Sequence, residues 1–533
     1  MMCDVLIVGG RVVDGTGNAW VMADVAVKAD RIMDVGKLDS LQAERVIDAT
    51  GLVVCPGFID VHSHGDAHLL VTSGAEAKVM QGITTMVSGH CGTSSAPLKG
   101  PLFPARTAML YRASGDWSTF KEFYGRLEER GIAINLASFV GNGNIRASVL
   151  GLDSRRPTKE EFEEMKKLVA EAMEQGAVGL STGLVYPPSS FATTEEIIGL
   201  AEVAATYGGI YSTHVRGMAR PIFQAVKEAL EIGERASLPV QVSHLNPGPA
   251  AWGKAPELVA LVEEARDRGL DVTVDTLVHN ESVFKGGSLL PNWASEGGLA
   301  SLVERIGDPD TRQKIKTDSL QFGDRYGGSV ASGLMQDGRW DKIWITMPKR
   351  LNCMSLAELA TAMNRKDPYD VLLDLIVEEK GNIAGVSEPY LQSDVDYTVA
   401  HPLCMPETDD LPVAPDGPVP PMHTRAFGSF AKLLGYYVRE KHILTLEEAI
   451  RKATSFPAQR IGLEGRGLLR KGMFADIAIF DPHTVAERGT REHPAQYPEG
   501  IRFVLVNGQP VVDGGKPTSV RSGRVLRGQG RTK

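Results

Sequence analysis

The sequence predicts an α/β fold, a (β/α)8 barrel carrying a small β-sandwich built from both termini. Three features predict it. Strand-like runs recur at an even interval through the middle of the chain, helical stretches with readable ends lie between them, and both ends change style to short alternating strands.

The interval comes first. Runs begin near Ala177 (AVGLSTG), Gly209 (GIYSTHV), Val240 (VQVSHLN) and Asp271 (DVTVDTL), separated by 32, 31 and 31 residues. Thr158-Lys159-Glu160-Glu161 has capping-box form and Gly176 closes that helix; Thr193-Thr194-Glu195-Glu196 opens the next and Gly208 follows it. Pro221 and Pro256 suit the first turns of two more helices. Apolar strands with helical crossovers at this spacing are βα units of a parallel sheet. Four units fit an open sheet as well as a barrel. GFIDVH from Gly57, ITTMVSG from Ile83, NLASFVG from Asn135 and CMPETD ending at Asp409 raise the count to eight strands. Eight favour the barrel, in which functional side chains gather at the C-terminal ends of strands.

Residues 1–55 alternate in short strands with turns at Val8-Gly9-Gly10, Asp14-Gly15-Thr16-Gly17 and Asp48-Ala49-Thr50-Gly51, and residues 465–533 repeat that style (ADIAIFD, IRFVLVNG, QPVVDGG). The division expected is therefore 1–55 plus 465–533 as the sandwich and 56–464 as the barrel. A break in the beat at about 285–340, rich in glycine and charge, reads as an insertion or lid over the barrel mouth. The five-proline run Leu411–His423 reads as an ordered loop after the last strand. VLIVGGRVVDGTG at 5–17 lacks the GxGxxG order and no helical pattern follows it, so a β-hairpin is expected there instead of a dinucleotide-binding turn.

With 533 residues the chain suits a large barrel plus an accessory domain, and its 43% hydrophobic and 23% charged residues are ordinary for a globular protein. A net charge of −9 argues against nucleic-acid binding, which needs a basic face. No run reaches the roughly 18 apolar residues of a membrane span, and the first residues lack the basic start and apolar core of a signal peptide. The five cysteines are scattered and never paired as CxxC, as in a reducing compartment. A cytoplasmic protein is expected, with neither membrane nor nucleic acid as partner.

The chemistry starts at His62-Ser63-His64. Residues i and i+2 of a strand face one side, so both imidazoles can turn to one metal just past the strand Pro56–Val61. His214 and His244 each end an apolar strand in neighbouring βα units. One such histidine is more often structural; two, following an HxH pair, point to metal. Cys91, in Ser88-Gly89-His90-Cys91-Gly92, ends the strand expected beside the HxH strand. A free cysteine is commonly a small buried hydrophobe, but a thiolate beside histidines is a good zinc ligand. His90 points away from Cys91 under strand alternation and is left out of the ligand set. Asp409 closes the last strand and can take a proton from metal-activated water, with Glu407 and Asp410 as competitors. Asp60, within the first barrel strand, is expected to orient a ligand.

These residues resemble the amidohydrolase superfamily and, within it, the N-acyl-D-amino-acid deacylase (D-aminoacylase) family. The resemblance runs through CPGFIDVHSHGD at 55–66, GHCGTSSAP at 89–97, GLSTGLVYPPSSFATTEEI at 179–197, IYSTHVRG at 210–217, VSHLN at 242–246, TRAFGSF at 424–430, YYVRE at 436–440 and GRGLLRKGMFADIAIFDP at 465–482. It implies a distorted barrel with a β-sandwich. It implies one zinc tightly held by Cys91, His214 and His244, a second weak or empty position facing His62 and His64, and Asp409 as metal-site carboxylate and general base. Many superfamily members bridge two metals with a carboxylated lysine on the fourth strand; AVGLS at 177–181 has no lysine, and in this narrower family the cysteine stands in for it.

The resemblance also implies a small N-acyl substrate, with Tyr186, Arg216 and His279 as substrate-facing candidates, and leaves a homo-oligomer open. Here the pattern departs. The family's tyrosine-rich D-x-Y-P-Y after the seventh strand reads Asp275-Thr276-Leu277-Val278-His279, and Leu245-Asn246-Pro247 follows His244 where many members have a nearby lysine, Lys254 lying farther on. The reaction class survives these changes; an ordinary N-acyl-D-amino acid as preferred substrate does not follow. A cyclic-amide hydrolase of the dihydropyrimidinase or dihydroorotase kind is the enzymatic alternative, usually built on the absent lysine. A non-catalytic barrel scaffold is the other, and would have shed ligands that all stand in place here.

Overall fold

The structure, a computed structural model, describes residues 2–99, 117–218, 221–322, 329–351 and 353–530. Eight strand positions predicted from the sequence are strands: β6 (Phe58–Asp60), β7 (Ile83–Ser88), β8 (Asn135–Ser138) with its continuation β9 (Val140–Gly141), β10 (Gly179–Gly183), β11 (Ile210–His214), β12 (Val240–Val242), β13 (Val272–Leu277) and β17 (Cys404–Glu407). Neighbours pair in parallel, and the helix Lys159–Glu174 between two of them carries the Thr158/Glu161 capping box.

The barrel wall is made of two arcs. One is β6-β7-β8; the other is β17-β13-β12-β11-β10-β9. The chain passes from the first to the second at Phe139, where the ladder breaks. At the opposite seam β6 and β17 share no ladder; just beyond their ends the Asp409 N–H donates to His62 O (3.0 Å) and the His64 N–H to Asp410 O (3.2 Å). The result is a distorted (β/α)8 barrel with its wall interrupted at both seams.

A nine-stranded sheet joins the two ends of the chain. Its order is β21 (Lys516–Pro517), β20 (Gln509–Asp513), β19 (Ile501–Val506), β18 (Ile477–Phe480), β5 (Val53–Pro56), β1 (Met2–Val12), β2 (Val21–Lys28) and β3 (Arg31–Gly36), with β4 (Gln42–Asp48) also on β1. Strands β5 and β18 form the junction, antiparallel, with Cys55 opposite Ala478. The hairpin expected over residues 5–17 is different in detail. Val8-Gly9-Gly10 makes no turn: β1 runs through it with a bulge, Gly9 at φ +68° giving its N–H to Asp24, and the chain reverses only after Val12 to form β2.

The segment that breaks the beat is longer than 285–340. Strands β14 (Ser282–Lys285), β15 (Ile343–Met347) and β16 (Ala384–Ser387) form a separate antiparallel sheet, order β14-β16-β15, over a hydrophobic cluster of its own running from Phe284 to Ile383. The physical reason is strand exchange: β16 returns to pair with both earlier strands, so the unit closes only near Ser387. Residues 323–328 of the expected insertion lie outside the described residues. Leu411–His423 is without regular secondary structure, as expected. Among the described residues no helix is long and apolar enough to cross a membrane.

Candidate metal centre

Six side chains converge at the C-terminal ends of the strands. His62 and His64 follow β6, Cys91 follows β7, His214 ends β11, His244 follows β12 and Asp409 follows β17. They form two groups that share one sulfur: Cys91, His214 and His244 in the first, and His62, His64, Cys91 and Asp409 in the second, all ligand atoms of each group lying within 4.8 Å of one another. Glycines make this possible. A Cβ on Gly183 would stand 2.2 Å from the Cys91 carbonyl oxygen, and one on Gly89, already at φ +75°, would stand 2.2 Å from Phe139 O, so the Cys91 loop lies flat on β10 and on the seam.

The distances fit a divalent ion. Cys91 Sγ lies 3.7 Å from His214 Nδ1, 3.7 Å from His244 Nε2 and 3.4 Å from His62 Nε2. Zinc bonds of about 2.3 Å to sulfur and about 2.05 Å to nitrogen, at the tetrahedral angle, separate the two ligand atoms by about 3.5–3.6 Å. A thiol and imidazoles that bury their nitrogens facing one sulfur are a zinc-type donor set. Such an ion supplies Lewis-acid polarisation of a carbonyl and of water when bound.

Electrostatics holds His214, His244 and Asp409 in the protonation state a metal needs, and leaves the thiol to be deprotonated. Burial pushes His214 well down and His244 down to about 4, so both imidazoles are neutral. Burial alone pushes the Cys91 thiol well up, with Asp409, Glu407 and Asp275 adding to it, so loading must expel a proton from sulfur. Burial also works against charge on Asp409, but Arg425 (Nη1 to Oδ2, 3.0 Å) and His64 (Nε2 to Oδ1, 2.9 Å) prevail and hold its carboxyl well below the usual range.

The structure brings the six candidate ligands together, on supports that the sequence did not show. Asp60, expected to orient a ligand, bonds instead to Lys78 and Thr408. The buried carboxylates that face His62 are Asp275 (Oδ1 3.3 Å from Nδ1) and Glu407 (Oε2 3.1 Å). Burial opposes charge on both, and His62 tips the balance for Asp275, holding it well below the usual range. Burial together with the Asp275 and Asp409 charges pushes Glu407 well up. Glu407 is thus the poorer candidate for an ionised base, Asp410 turns to Arg425 (3.3 Å), and of the three candidate bases only Asp409 stands with Cys91, His62 and His64. Arg425 itself lies inside the TRAFGSF segment; its only signal was a cation at the first position of a helix that opens after the proline-rich loop.

The three substrate-facing candidates divide. Tyr186 packs edge-on against His214 (5.0 Å between rings) and stays 36% exposed, which puts it at the mouth. Arg216 is spent elsewhere: its guanidinium holds Glu228 (2.9–3.1 Å) and the carbonyls of Ser190 and Ala192, leaving no free fork for a carboxylate. His279 is buried with Nε2 2.9 Å from Glu487 and its ring 5.2 Å from that of His423. His90 is stacked behind His62 (4.0 Å between rings) and bonded to Ser212, outside the ligand set as expected.

Comparison with known proteins agrees with this geometry. The model of a family described as Amidohydrolase family matches residues 45–317 and 362–512. An N-acyl-D-glutamate deacylase of Alcaligenes xylosoxydans xylosoxydans is 35% identical over 98% of this chain and 96% of its own length. The crystal structure of an N-acyl-D-glutamate deacylase from Bordetella bronchiseptica, complexed with zinc and a phosphonate mimic of the tetrahedral intermediate, superposes with a TM-score of 0.82 at 32% identity, covering 99% of this chain and 100% of that one. A D-aminoacylase structure, from work on one-metal activation and second-metal attenuation of its binuclear centre, matches with a TM-score of 0.81 at 33% identity, covering 98% of this chain and 100% of that one.

Proposed function

We propose, from the premise that the chain belongs to the amidohydrolase family and stands among its N-acyl-D-amino-acid deacylases, that it is a zinc-dependent amidohydrolase cleaving the amide bond of an N-acyl amino acid or a related N-acyl amine. The observation that carries this reading is the shared sulfur: Cys91 stands between a His214/His244 pair and a His62/His64/Asp409 group. In this reading Cys91, His214 and His244 hold the tighter zinc, and His62 and His64 face a second, weaker position.

Asp409 is the group with the means to move a proton. Its carboxylate is kept ionised by Arg425 and stands at the ligand cluster. It takes the proton of the attacking water and hands it to the amine nitrogen as the C–N bond breaks. Tyr186, at the mouth beside His214, is the substrate-facing group among those expected from the sequence. With Arg216 bound to Glu228 and Val278-His279-Asn280 in place of tyrosines directly after β13, recognition of a substrate carboxylate falls to a different set of groups from the family pattern.

The test is the substitution Asp409→Ala with metal content measured on the same sample. Turnover of N-acyl amino acids should fall by about 10²–10⁴-fold while bound metal stays near the parent level. N-acyl amino acids of both hands, hydantoins and dihydroorotate form the substrate screen. Substantial turnover by the loaded variant removes Asp409 as base; cleavage confined to the cyclic amides removes the deacylase reading.

A further inference from the structure

The seam between β6 and β17 has no ladder, yet it carries ligands on one side and the base on the other. A buried polar bolt closes it. Lys78, on the short helix Glu76–Val79 between β6 and β7, is fully buried. Its ammonium has three acceptors at hand: Asp60 Oδ2 in β6 (2.8 Å), and, past the end of β17, Asp410 O (2.8 Å) and Thr408 Oγ1 (2.5 Å). Thr408 in turn donates its N–H to Asp60 Oδ1 (3.0 Å) and its hydroxyl to Asp60 Oδ2 (2.6 Å), and accepts the Asp410 N–H (3.3 Å). The Ser63 hydroxyl, between the two HxH histidines, donates to the same Asp410 carbonyl (2.9 Å).

The bolt grips the residue on either side of Asp409 and leaves Asp409 itself free to face the cluster. Asp409 has φ +48°, a left-handed backbone unusual for a side-chain-bearing residue, so its carboxylate direction depends on how residues 408 and 410 are held. A seam that only needed closing could be filled with apolar side chains of similar volume at no loss of stability. An ammonium with three directed donors fixes positions instead.

We propose that Lys78, acting through Asp60 and Thr408, is a positioning residue for Asp409: it sets where the base stands relative to His64 and Cys91. The inference rests on Asp409 acting as the base. A misplacement approaching 1 Å at a reacting group costs about 10²-fold in rate, so loosening the bolt is read in kcat and not in binding.

The experiment compares Thr408→Val, Thr408→Ser and Lys78→Met as metal-loaded full-length protein, with kcat, KM, bound metal and thermal midpoint measured on each. T408V, isosteric but without the hydroxyl, should lose about tenfold or more in kcat with KM within about twofold and metal unchanged. T408S, which keeps the hydroxyl, should return to near the parent kcat. K78M should lose at least as much as T408V; where it does not fold, the T408V/T408S pair decides alone. A folded, loaded T408V with kcat within about twofold of the parent overturns the proposal. So does a loss that follows bound metal, with turnover per metal ion unchanged. Asp409→Ala run alongside tells the two readings apart: an inactive D409A beside an unaffected T408V ends the bolt and spares the base, whereas an active D409A ends both.

Discussion

Replacing Arg425 by methionine removes the cation that keeps Asp409 ionised, and the structure sets the size of the effect. The guanidinium is 2% exposed, with Nη1 3.0 Å from Asp409 Oδ2 and Nε 3.3 Å from Asp410 Oδ2. At an effective dielectric near 20, a pair at that distance attracts by about 5–6 kcal/mol before desolvation is counted. Breaking a buried pair from one side costs roughly 3–5 kcal/mol, because the remaining charge is left in the interior. With an unfolding entropy of about 2 cal/mol/K per residue, a cooperative unit of this size would melt roughly 3–4 °C lower. The sign for Asp409 follows from its depressed pKa: the stabilisation is present above the unfolded-state value near 3.9 and is lost as pH falls through the lower folded value, so R425M forfeits it at neutral pH. The same change shows in catalysis. Activity needs the ionised carboxylate, so the acid limb of kcat/KM against pH should move upward in R425M, with His64 left to oppose the effect of burial. The assay is the pH profile of metal-loaded parent and variant with equal metal content, together with thermal melts. An acid limb that stays in place while metal content is equal refutes the role assigned to Arg425.

Burial pushes His68, His244 and His279 each down to about 4. A histidine neutral in the fold and protonated in the unfolded chain loses stability as pH falls from about 6.5 toward 4, close to 2 kcal/mol per group at pH 5. Denaturant midpoints of the metal-free protein should therefore drop between pH 7 and pH 5; flat midpoints contradict the burial of these rings. Arg216→Met should leave KM within about threefold of the parent and lower the melting temperature, because its partners are Glu228 and two carbonyls. A tenfold rise in KM with unchanged stability would return Arg216 to the substrate site.

The barrel strands were legible because each is short and apolar, and because β10 and β11 follow helices with side-chain caps at Thr158 and Thr193, signals that lie within 30 or so residues. The candidate ligands were legible because they sit where such strands end, and because an HxH pair and two strand-end histidines together point to metal. What escaped lies in contacts between distant segments. Asp60 and Thr408 are 348 residues apart in sequence, and their bond replaces a ladder that strand counting assumes. Asp275 reads as an interior strand residue until β13 is placed two strands from His62, and Glu407 reads as a rival base until its burial beside Asp275, which raises its pKa, is seen. The bulge at Gly9 and the long return of β16 were missed for the same reason: each is decided by the partner strand.

Three of the converging residues, Cys91 (φ +52°), His244 (φ +35°) and Asp409 (φ +48°), hold left-handed backbone conformations. For residues with a Cβ each such conformation costs of order 1–3 kcal/mol, and it persists only where neighbours over-determine it. Here they do. The His244 N–H donates to Asp275 Oδ1 (2.5 Å), the Asp409 N–H to His62 O (3.0 Å), and Gly89 and Gly183 bring the backbone around Cys91 into contact with β8 and β10. In each case the turn swings a side chain off the line of its strand and toward a common point that straight strands would leave unreached. Asp275 joins the groups: the same carboxylate fixes the His244 backbone, accepts from Gln241 and faces His62. The His244 turn is therefore held by a hydrogen bond to Asp275, the Asp409 turn by one to His62, and the Cys91 turn by close packing at Gly89 and Gly183. Replacing Asp275 should release the His244 turn, while the Cys91 turn, held by the packing at Gly89 and Gly183, stays in place.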